Sequence, residues 1–238
     1  MLHLTQTTPP ASLTALTSLK KETLQAQQLV NSSFESLPCP VYWYTQSASF
    51  DPSSTTVLNL AHPLNPMKGY LGESRSDAQE EEEVDELEED QIVSAAPLPK
   101  GFDLIYILDS IYHFPPAVPH FLTTAISSLS PGGVIAYTDI LPPADLSPFL
   151  AHWVLPTLVG VPTRNIVQRP KTLEEYKAQL HKIGYAEVEI EDWTMDVFPG
   201  FSRFLKSKGG VWPIVGRGVE WAEQRGWKYV AVRAKKSS

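Results

Sequence analysis

Four polar residues follow a strongly apolar run in the stretch FDLIYILDSIYHF, residues 102–114. They are Asp109, Ser110, Tyr112 and His113. An imidazole gains and loses a proton near neutral pH, so His113 is a candidate general base for a hydroxyl group or an acidic carbon. The alternative for His113 is a structural histidine bonded to a backbone carbonyl. Tyr112 could orient a substrate or equally belong to the core.

Three other apolar segments also end in polar residues. Thr17 and Ser18 end the first, Thr45 and Gln46 end the second, and Asp139 ends the third. In open α/β sheets, ligands bind outside the carboxyl ends of the strands. Each residue alone is more simply a helix cap or a turn residue. The four strand ends together predict a binding site along one edge of a sheet.

The segments around these residues predict alternating strands and helices. The apolar run at 101–109 is typical of a strand at the centre of a parallel sheet. We expect 102–108 to pair with a strand at 134–140, which follows a helix and a Pro-Gly-Gly break at 131–133. Further strands are predicted at 12–19 and 39–46, with helices at 20–32 and 117–130.

The C-terminal part predicts a mixture of helices and strands. Thr172 and Glu175 form a capping-box pattern at the start of a helix that ends at Gly184. An alternating strand follows, then partly helical aromatic sequence and a short helix. The last segment, 227–235, alternates as an edge or hairpin strand should. The sequence therefore predicts an α/β fold with an antiparallel end.

The stretch FDLIYILDSIYHF, followed by FLTTAISSLSPGGVIAYTDI, resembles the second half of class I S-adenosylmethionine-dependent methyltransferases. Its form is similar to the type 11-like, small-molecule branch, especially in fungi. LTALTSLKKETLQAQQLV is similar to that branch's second strand and helix, and GYAEVEIEDWTMDVFPGFSRFLKSKG to its tail. The resemblance covers most of residues 12–235. It implies a Rossmann-like methyltransferase sheet, incomplete at the N-terminus, with S-adenosyl-L-methionine as cofactor.

The resemblance also implies roles in cofactor binding. Thr17 and Ser18 would contact the ribose hydroxyls, although they could equally cap the helix that starts near Lys20. Thr45 or Gln46 would contact the adenine edge, where the family often has an acid.

Closer to the chemistry, the resemblance implies that Asp109 and Ser110 line the methionine and methyl side. The alternative for Asp109 is a cap on the following turn. His113 would be the base, and Tyr112 would help to position the substrate. The methyl acceptor, and whether it accepts on oxygen, nitrogen or carbon, does not follow from the sequence.

One family element has no counterpart in the sequence. The family's first strand and its turn of the form VLDVGCGxG are missing, and the first glycine is Gly69. Either the sequence is truncated or the element is lost. We therefore expect the strand at 13–17 to be poorly supported, or to lie beside 102–108. Two hypotheses stay open: a methyltransferase acting on a small lipophilic or aromatic molecule, and an inactive relative that serves as an interaction module.

Composition divides the chain and limits its partners. Residues 1–142 would be a partial cofactor half, 143–226 an aromatic substrate cap with one strand, and 227–235 the final strand. Residues 73–90 hold eleven acids and one base of a chain with net charge −8, so 73–91 is predicted to be a disordered insertion or a dock for a basic partner. No basic stripe indicates nucleic-acid binding and no apolar run predicts a membrane span. The single Cys39 favours a cytoplasmic location, and no metal is expected.

Overall fold

The architecture is taken from a computed structural model. It describes residues 10–17, 19–33, 39–45, 101–114, 116–147, 149, 166 and 169–238. Predictions for Ser18, Gln46, the acidic segment 73–91 and most of 148–168 lie outside the described residues. The chain forms two compact units, Met1–Lys100 and Gly101–Ser238.

The first unit contains a small parallel sheet. Strand β1 (Leu13–Thr17) pairs in parallel with β2 (Val41–Thr45), and helix α1 (Lys20–Ser33) lies between them in the sequence. All three elements were predicted. Among the described strands, β1 pairs with β2 and not with the strand at 102–107, so the prediction of that neighbour is wrong. A strand, a helix and a second parallel strand form one crossover unit, which favours pairing of strands that are consecutive in the chain.

The second unit contains a mixed four-stranded sheet in the order β3-β4-β6-β5. The strands are β3 (Phe102–Ile107), β4 (Leu129–Leu141), β5 (Tyr185–Asp192) and β6 (Lys228–Lys236). Strands β3 and β4 are parallel, and β6 runs antiparallel to both β4 and β5. The predicted pairing of 102–108 with 134–140 and the antiparallel last strand are therefore confirmed.

Two strands occupy different places from those predicted. Among the described strands β3 is an edge strand and β6 is interior. In β3, Ile105 and Ile107 are buried whereas Leu104 and Tyr106 are exposed, so only one face of the strand is covered. An apolar run alone does not distinguish a central strand from an edge strand that has two apolar faces. In β6, Tyr229 and Val230 are buried, as an interior position requires.

The Pro-Gly-Gly sequence does not stop strand β4, which begins earlier than predicted. Gly132 has φ 73°, a conformation that favours glycine. A Cβ atom at Gly133 would lie 2.8 Å from the carbonyl oxygen of Phe102. The two glycines therefore let the start of β4 approach β3 closely, where the pairing register shifts between Phe102 and Leu104.

Four helices complete the described second unit, together with a short 3₁₀ helix at Ile111–His113. They are α2 (Val118–Ser128), α3 (Leu173–Ile183), α4 (Thr194–Lys206) and α5 (Trp212–Gln224). None of the described helices is long and apolar enough to cross a membrane.

Thr172 and Gly184 cap the two ends of α3 as predicted, while the reciprocal bond of the capping box goes to Lys171, one residue before the N-cap. Thr172 Oγ1 accepts from the Glu175 backbone N–H at 3.1 Å, and Glu175 Oε2 accepts from the Lys171 N–H at 2.8 Å. Gly184 ends the helix with φ 119°. Both ends were readable from the sequence because capping is local.

Candidate functional site

Asp109 follows the carboxyl end of β3 in an unusual backbone conformation. Its φ is 52°, and it is the single non-glycine residue with positive φ in the described chain. Such a conformation costs of order 1 kcal/mol for a residue with a side chain, and strain of this kind is concentrated at functional sites. The residue is exposed to solvent. The structure therefore holds an accessible carboxylate at the strand end that the sequence singled out.

Two neighbouring strands hold this carboxylate in place. The Asp109 N–H donates to Thr138 Oγ1 at 2.9 Å, and the Tyr229 hydroxyl donates to Asp109 Oδ1. Thr138 and Tyr229 share a face because Tyr229 lies opposite Ile140 in the register of β4 and β6. We call Asp109, Tyr112, Thr138 and Tyr229 the open cluster.

Tyr112 and His113 lie beside Asp109 on the 3₁₀ helix. Their ring centroids are 4.5 Å apart, and the backbone N–H of His113 donates to the Ser110 carbonyl at 3.0 Å. His113 is exposed, and its imidazole makes no hydrogen bond to the part of the chain that the structure describes. The alternative of a histidine tied to a backbone carbonyl is therefore not observed. Asp109, Ser110, Tyr112 and His113 all lie between the end of β3 and the end of the 3₁₀ helix, and their roles stay predictions.

The two phenols of the open cluster stay protonated at neutral pH. Burial, with the adjacent Asp109 carboxylate, raises the pKa of Tyr112 to about 12. Burial and the hydrogen bond to Asp109 raise the pKa of Tyr229 as well. Both phenols can therefore donate hydrogen bonds but cannot act as bases.

Asp139, the other predicted strand-end acid, has a different role. It is fully buried, and Arg169 forms an ion pair with its Oδ2. The Tyr176 hydroxyl donates to Oδ2 at 2.6 Å, and the Ile140 N–H donates to Oδ1 at 2.8 Å. The Tyr137 hydroxyl lies 2.9 Å from that of Tyr176.

We call Asp139, Arg169, Tyr176 and Tyr137 the buried cluster. Successive residues of a strand face opposite sides, so Asp139 and Thr138 lie on opposite faces of β4. Because Ile107 of β3 pairs with Tyr137 of the parallel strand β4, Asp139 lies at the same sheet edge as Asp109. Its side chain, however, is on the face of β4 opposite to Thr138, the residue that Asp109 contacts. Burial raises the pKa of both Tyr137 and Tyr176, so these hydroxyls stay neutral around the ion pair.

In the first unit, the structure links the two predicted threonines. Thr17 Oγ1 and Thr45 Oγ1 lie 2.7 Å and 2.8 Å from the hydroxyl of Thr23, which is buried at the start of α1. The parallel register places Thr17 directly opposite Thr45. Thr17 Oγ1 also donates to the Leu19 carbonyl at 3.2 Å, so it is bonded around the start of the helix.

The residues that the sequence missed are Thr138, Tyr229, Arg169 and Tyr176. Thr138 directly precedes Asp139 in the sequence TDI, but the sequence does not show which face of the sheet Thr138 occupies. Tyr229 and Asp109 are 120 residues apart, and no local signal connects them. Among the described residues, no three His, Cys, Asp or Glu side chains are grouped as metal ligands.

Comparisons with known proteins show what the chain is similar to in sequence and in fold. No protein-family model matches the chain. The chain is similar to erythromycin 3''-O-methyltransferase of Saccharopolyspora erythraea, with 36% identity over 108 residues, which are 41% of this chain and 34% of that protein. The match thus spans about a third of the length of that relative.

Solved structures match over nearly the whole chain. The [4+2]-cyclase SpnF has a TM-score of 0.57 at 13% identity, covering 99% of this chain and 70% of that one. Phosphoethanolamine N-methyltransferase 2 of Haemonchus contortus, in complex with S-adenosyl-L-methionine, has a TM-score of 0.50 at 13% identity, covering 99% of this chain and 51% of that one. The fold of the chain is the Rossmann-like fold of class I S-adenosylmethionine-dependent methyltransferases.

Proposed function

We propose that the protein binds S-adenosyl-L-methionine and transfers its methyl group to a small lipophilic or aromatic molecule. The observation that carries this proposal is the open cluster. In this fold an exposed, strained carboxylate follows the carboxyl end of β3, and its Oδ1 accepts from the hydroxyl groups of Thr138 on β4 and Tyr229 on β6. A related sheet also belongs to a cyclase, so the fold alone does not assign the activity.

The open cluster suits the cationic end of the cofactor. Asp109 is a carboxylate without a cationic partner among the described residues, so it can attract a positively charged ligand group. Ser110 lies next to it. Tyr112 and Tyr229 supply neutral hydroxyl groups beside the carboxylate. We assign the methionine side of the cofactor to these residues.

When bound, S-adenosyl-L-methionine supplies an electrophilic methyl group on a cationic sulfur atom. The acceptor's lone pair forms the new bond to the methyl carbon, and the sulfur keeps the electrons of the bond that breaks. His113 takes the proton that the acceptor loses, because its imidazole is exposed and uncommitted to described residues. Positioning and exclusion of water supply most of the rate in such displacements.

The acceptor class rests on two supports. The curated relative is an O-methyltransferase that acts on erythromycin, a small molecule, by its name. The region 145–221 is rich in aromatic residues, which suits an apolar acceptor. The assignments of Thr17, Ser18, Thr45 and Gln46 to the adenosine half stay predictions of the resemblance.

A calorimetric titration with S-adenosylhomocysteine tests the proposal. We expect micromolar binding by the full chain and its loss in Asp109→Ala. The matched control is Asp103→Ala, which removes an exposed carboxylate near the start of β3, the strand that Asp109 follows. Absence of binding, or equal loss in both variants, would overturn the cofactor assignment. Transfer of a labelled methyl group to lipophilic acceptors then tests the reaction.

The second candidate is an inactive relative that acts as an interaction module. The acidic segment 73–91 favours it, because eleven carboxylates within residues 73–90 would attract a basic partner. A partner whose capture requires 73–91, together with no S-adenosylhomocysteine binding, would support this candidate over methyl transfer.

A further inference from the structure

Helices α4 and α5 form a tightly packed hairpin. Ser202 Oγ donates to the Gly216 carbonyl at 2.9 Å, and a Cβ at Gly216 would lie 2.9 Å from both Ser202 O and Lys206 Cγ. Lys206 Nζ also bonds Glu220 Oε2 at 2.6 Å across the two helices. Small and paired residues therefore fill the contact between the helices, and larger apolar side chains are left facing outward.

The outward surface of the hairpin is unusually apolar for a solvent-exposed face. Val211 and Trp212, at the turn between the helices, are 66% and 50% exposed, and Phe204 at the end of α4 is 54% exposed. Ile214 and Trp221 are seven residues apart and share another face of α5, where Ile214 is 68% exposed. Exposed apolar side chains in such number mark an interaction surface rather than ordinary surface scatter.

Cations are interleaved with these side chains. Lys208 Nζ lies 4.3 Å from the centre of the Phe204 ring, and Arg225 Cζ lies 5.8 Å from the centre of the Trp221 ring. Arg203 and Arg217 are exposed on the two helices. None of these four cations forms an ion pair among the described residues.

The hairpin also carries a net positive charge. Residues 194–225 contain five basic and three acidic residues, a net charge of +2 in a chain of net charge −8. One of the three acids, Glu220, is already paired with Lys206. The free charge of this surface is therefore positive, and its complement is negative.

We propose that the α4–α5 hairpin is a docking surface for an anionic lipid bilayer. Aromatic rings beside Lys and Arg are the side chains that lie at the boundary between acyl chains and headgroups. A bilayer offers a plane of phosphates, which can meet cations from α4, the turn and α5 together. A single helical partner would instead match one stripe of one helix. The inference does not depend on the proposed methyl transfer.

Co-sedimentation of the full chain with vesicles tests this inference. We expect binding to phosphatidylcholine vesicles that contain phosphatidylglycerol, weaker binding to pure phosphatidylcholine, and loss of binding as salt increases. The double variant Val211→Ser/Trp212→Ser should lower the partition coefficient about tenfold or more, because two exposed apolar anchors are removed. Leu29→Ser, which changes an exposed leucine of α1, is the matched control.

Charge-reversal variants separate the ionic contribution to vesicle binding from the apolar contribution. Arg217→Glu should weaken binding to the anionic vesicles several-fold, and Lys177→Glu on α3 should not. Absence of vesicle binding, or binding unchanged by the hairpin variants, would overturn the inference. So would binding to neutral vesicles as strong as to anionic ones. A dimer that Val211→Ser/Trp212→Ser dissolves, with no vesicle binding, would assign the surface to a second copy instead. Thermal unfolding of each variant verifies that it remains folded.

Discussion

Two aspartates, one after the end of β3 and one near the end of β4, differ in exposure, backbone conformation and counter-ion. Asp109 is exposed, has a strained backbone, and is held by neutral hydroxyl donors. Asp139 is fully buried, accepts from a backbone N–H and from Tyr176, and has Arg169 as its counter-ion. A buried carboxylate whose charge is already neutralised stabilises one arrangement of the fold. An exposed carboxylate held in a costly conformation is available to a ligand.

Under the proposed function, this comparison makes Asp109 the ligand-binding acid and Asp139 the structural one. It also places them on different faces, because Asp109 contacts Thr138 and the next residue of β4 is Asp139. The predictions below separate the two roles by measuring stability and ligand binding in the same variants.

The largest effect is expected at the buried ion pair. Arg169→Met leaves the Asp139 charge buried without its counter-ion, and we expect a loss of about 3–5 kcal/mol in the free energy of unfolding by urea denaturation. The double variant Arg169→Met/Asp139→Leu should recover most of this loss. Arg169 Nε and Nη1 are buried without partners among the described residues, so the pair is not fully satisfied.

The control for that variant is an exposed ion pair. Lys235 Nζ and Glu187 Oε1 lie 3.1 Å apart between β6 and β5. Lys235→Met should cost less than about 1 kcal/mol because water screens the pair. A cost at Arg169 as small as at Lys235 would contradict the structural role of the buried cluster.

The next effect separates two tyrosines that each donate to an aspartate. Tyr176→Phe removes a buried donor to Asp139 and should cost about 1–3 kcal/mol of stability with little change in ligand affinity. Tyr229→Phe removes the donor to Asp109 and should cost less stability while weakening S-adenosylhomocysteine binding. Urea unfolding and calorimetry on both variants check this pair. Equal effects of the two changes on S-adenosylhomocysteine affinity would contradict the different roles of Asp109 and Asp139.

A smaller effect is expected from relief of backbone strain. Asp109→Gly removes the penalty for positive φ, of order 1 kcal/mol, but it also removes an acceptor for Thr138 and Tyr229. We expect stability equal to or above that of the original chain, together with loss of ligand binding. Asp109→Ala keeps the strain and should be the less stable of the two. A reversed order of stability would show that the backbone of Asp109 is not strained.

The last effect concerns alkaline pH. The pKa of Tyr112 is raised to about 12, so between about pH 10 and pH 12 the folded protein keeps a proton that the unfolded chain has lost. The stabilisation is present below pH 10 and is lost as the pH rises towards 12. Unfolding free energy should therefore fall in this window, and Tyr112→Phe should make the decline shallower. An unchanged slope would contradict the burial of this phenol.

The local features of the fold and some residues of the candidate site could be predicted from the sequence. Thr172 and Gly184 were readable as helix ends because each acts on residues within one turn. Asp109 and His113 were readable because a polar run ends an apolar strand. The face of Asp139 and the contact of Tyr229 with Asp109 were not readable, because they depend on which strands pair and in which register. The edge position of β3 among the described strands was missed for the same reason.

The most direct test of the account is calorimetric titration of Asp109→Asn with S-adenosylhomocysteine, beside the unchanged chain. The substitution removes the charge and keeps the size of the side chain. We predict micromolar binding by the unchanged chain and at least about tenfold weaker binding by Asp109→Asn, with both proteins equally folded. Equal affinity in the two proteins would show that the exposed carboxylate does not serve the cofactor, and would contradict the central distinction between the two aspartates.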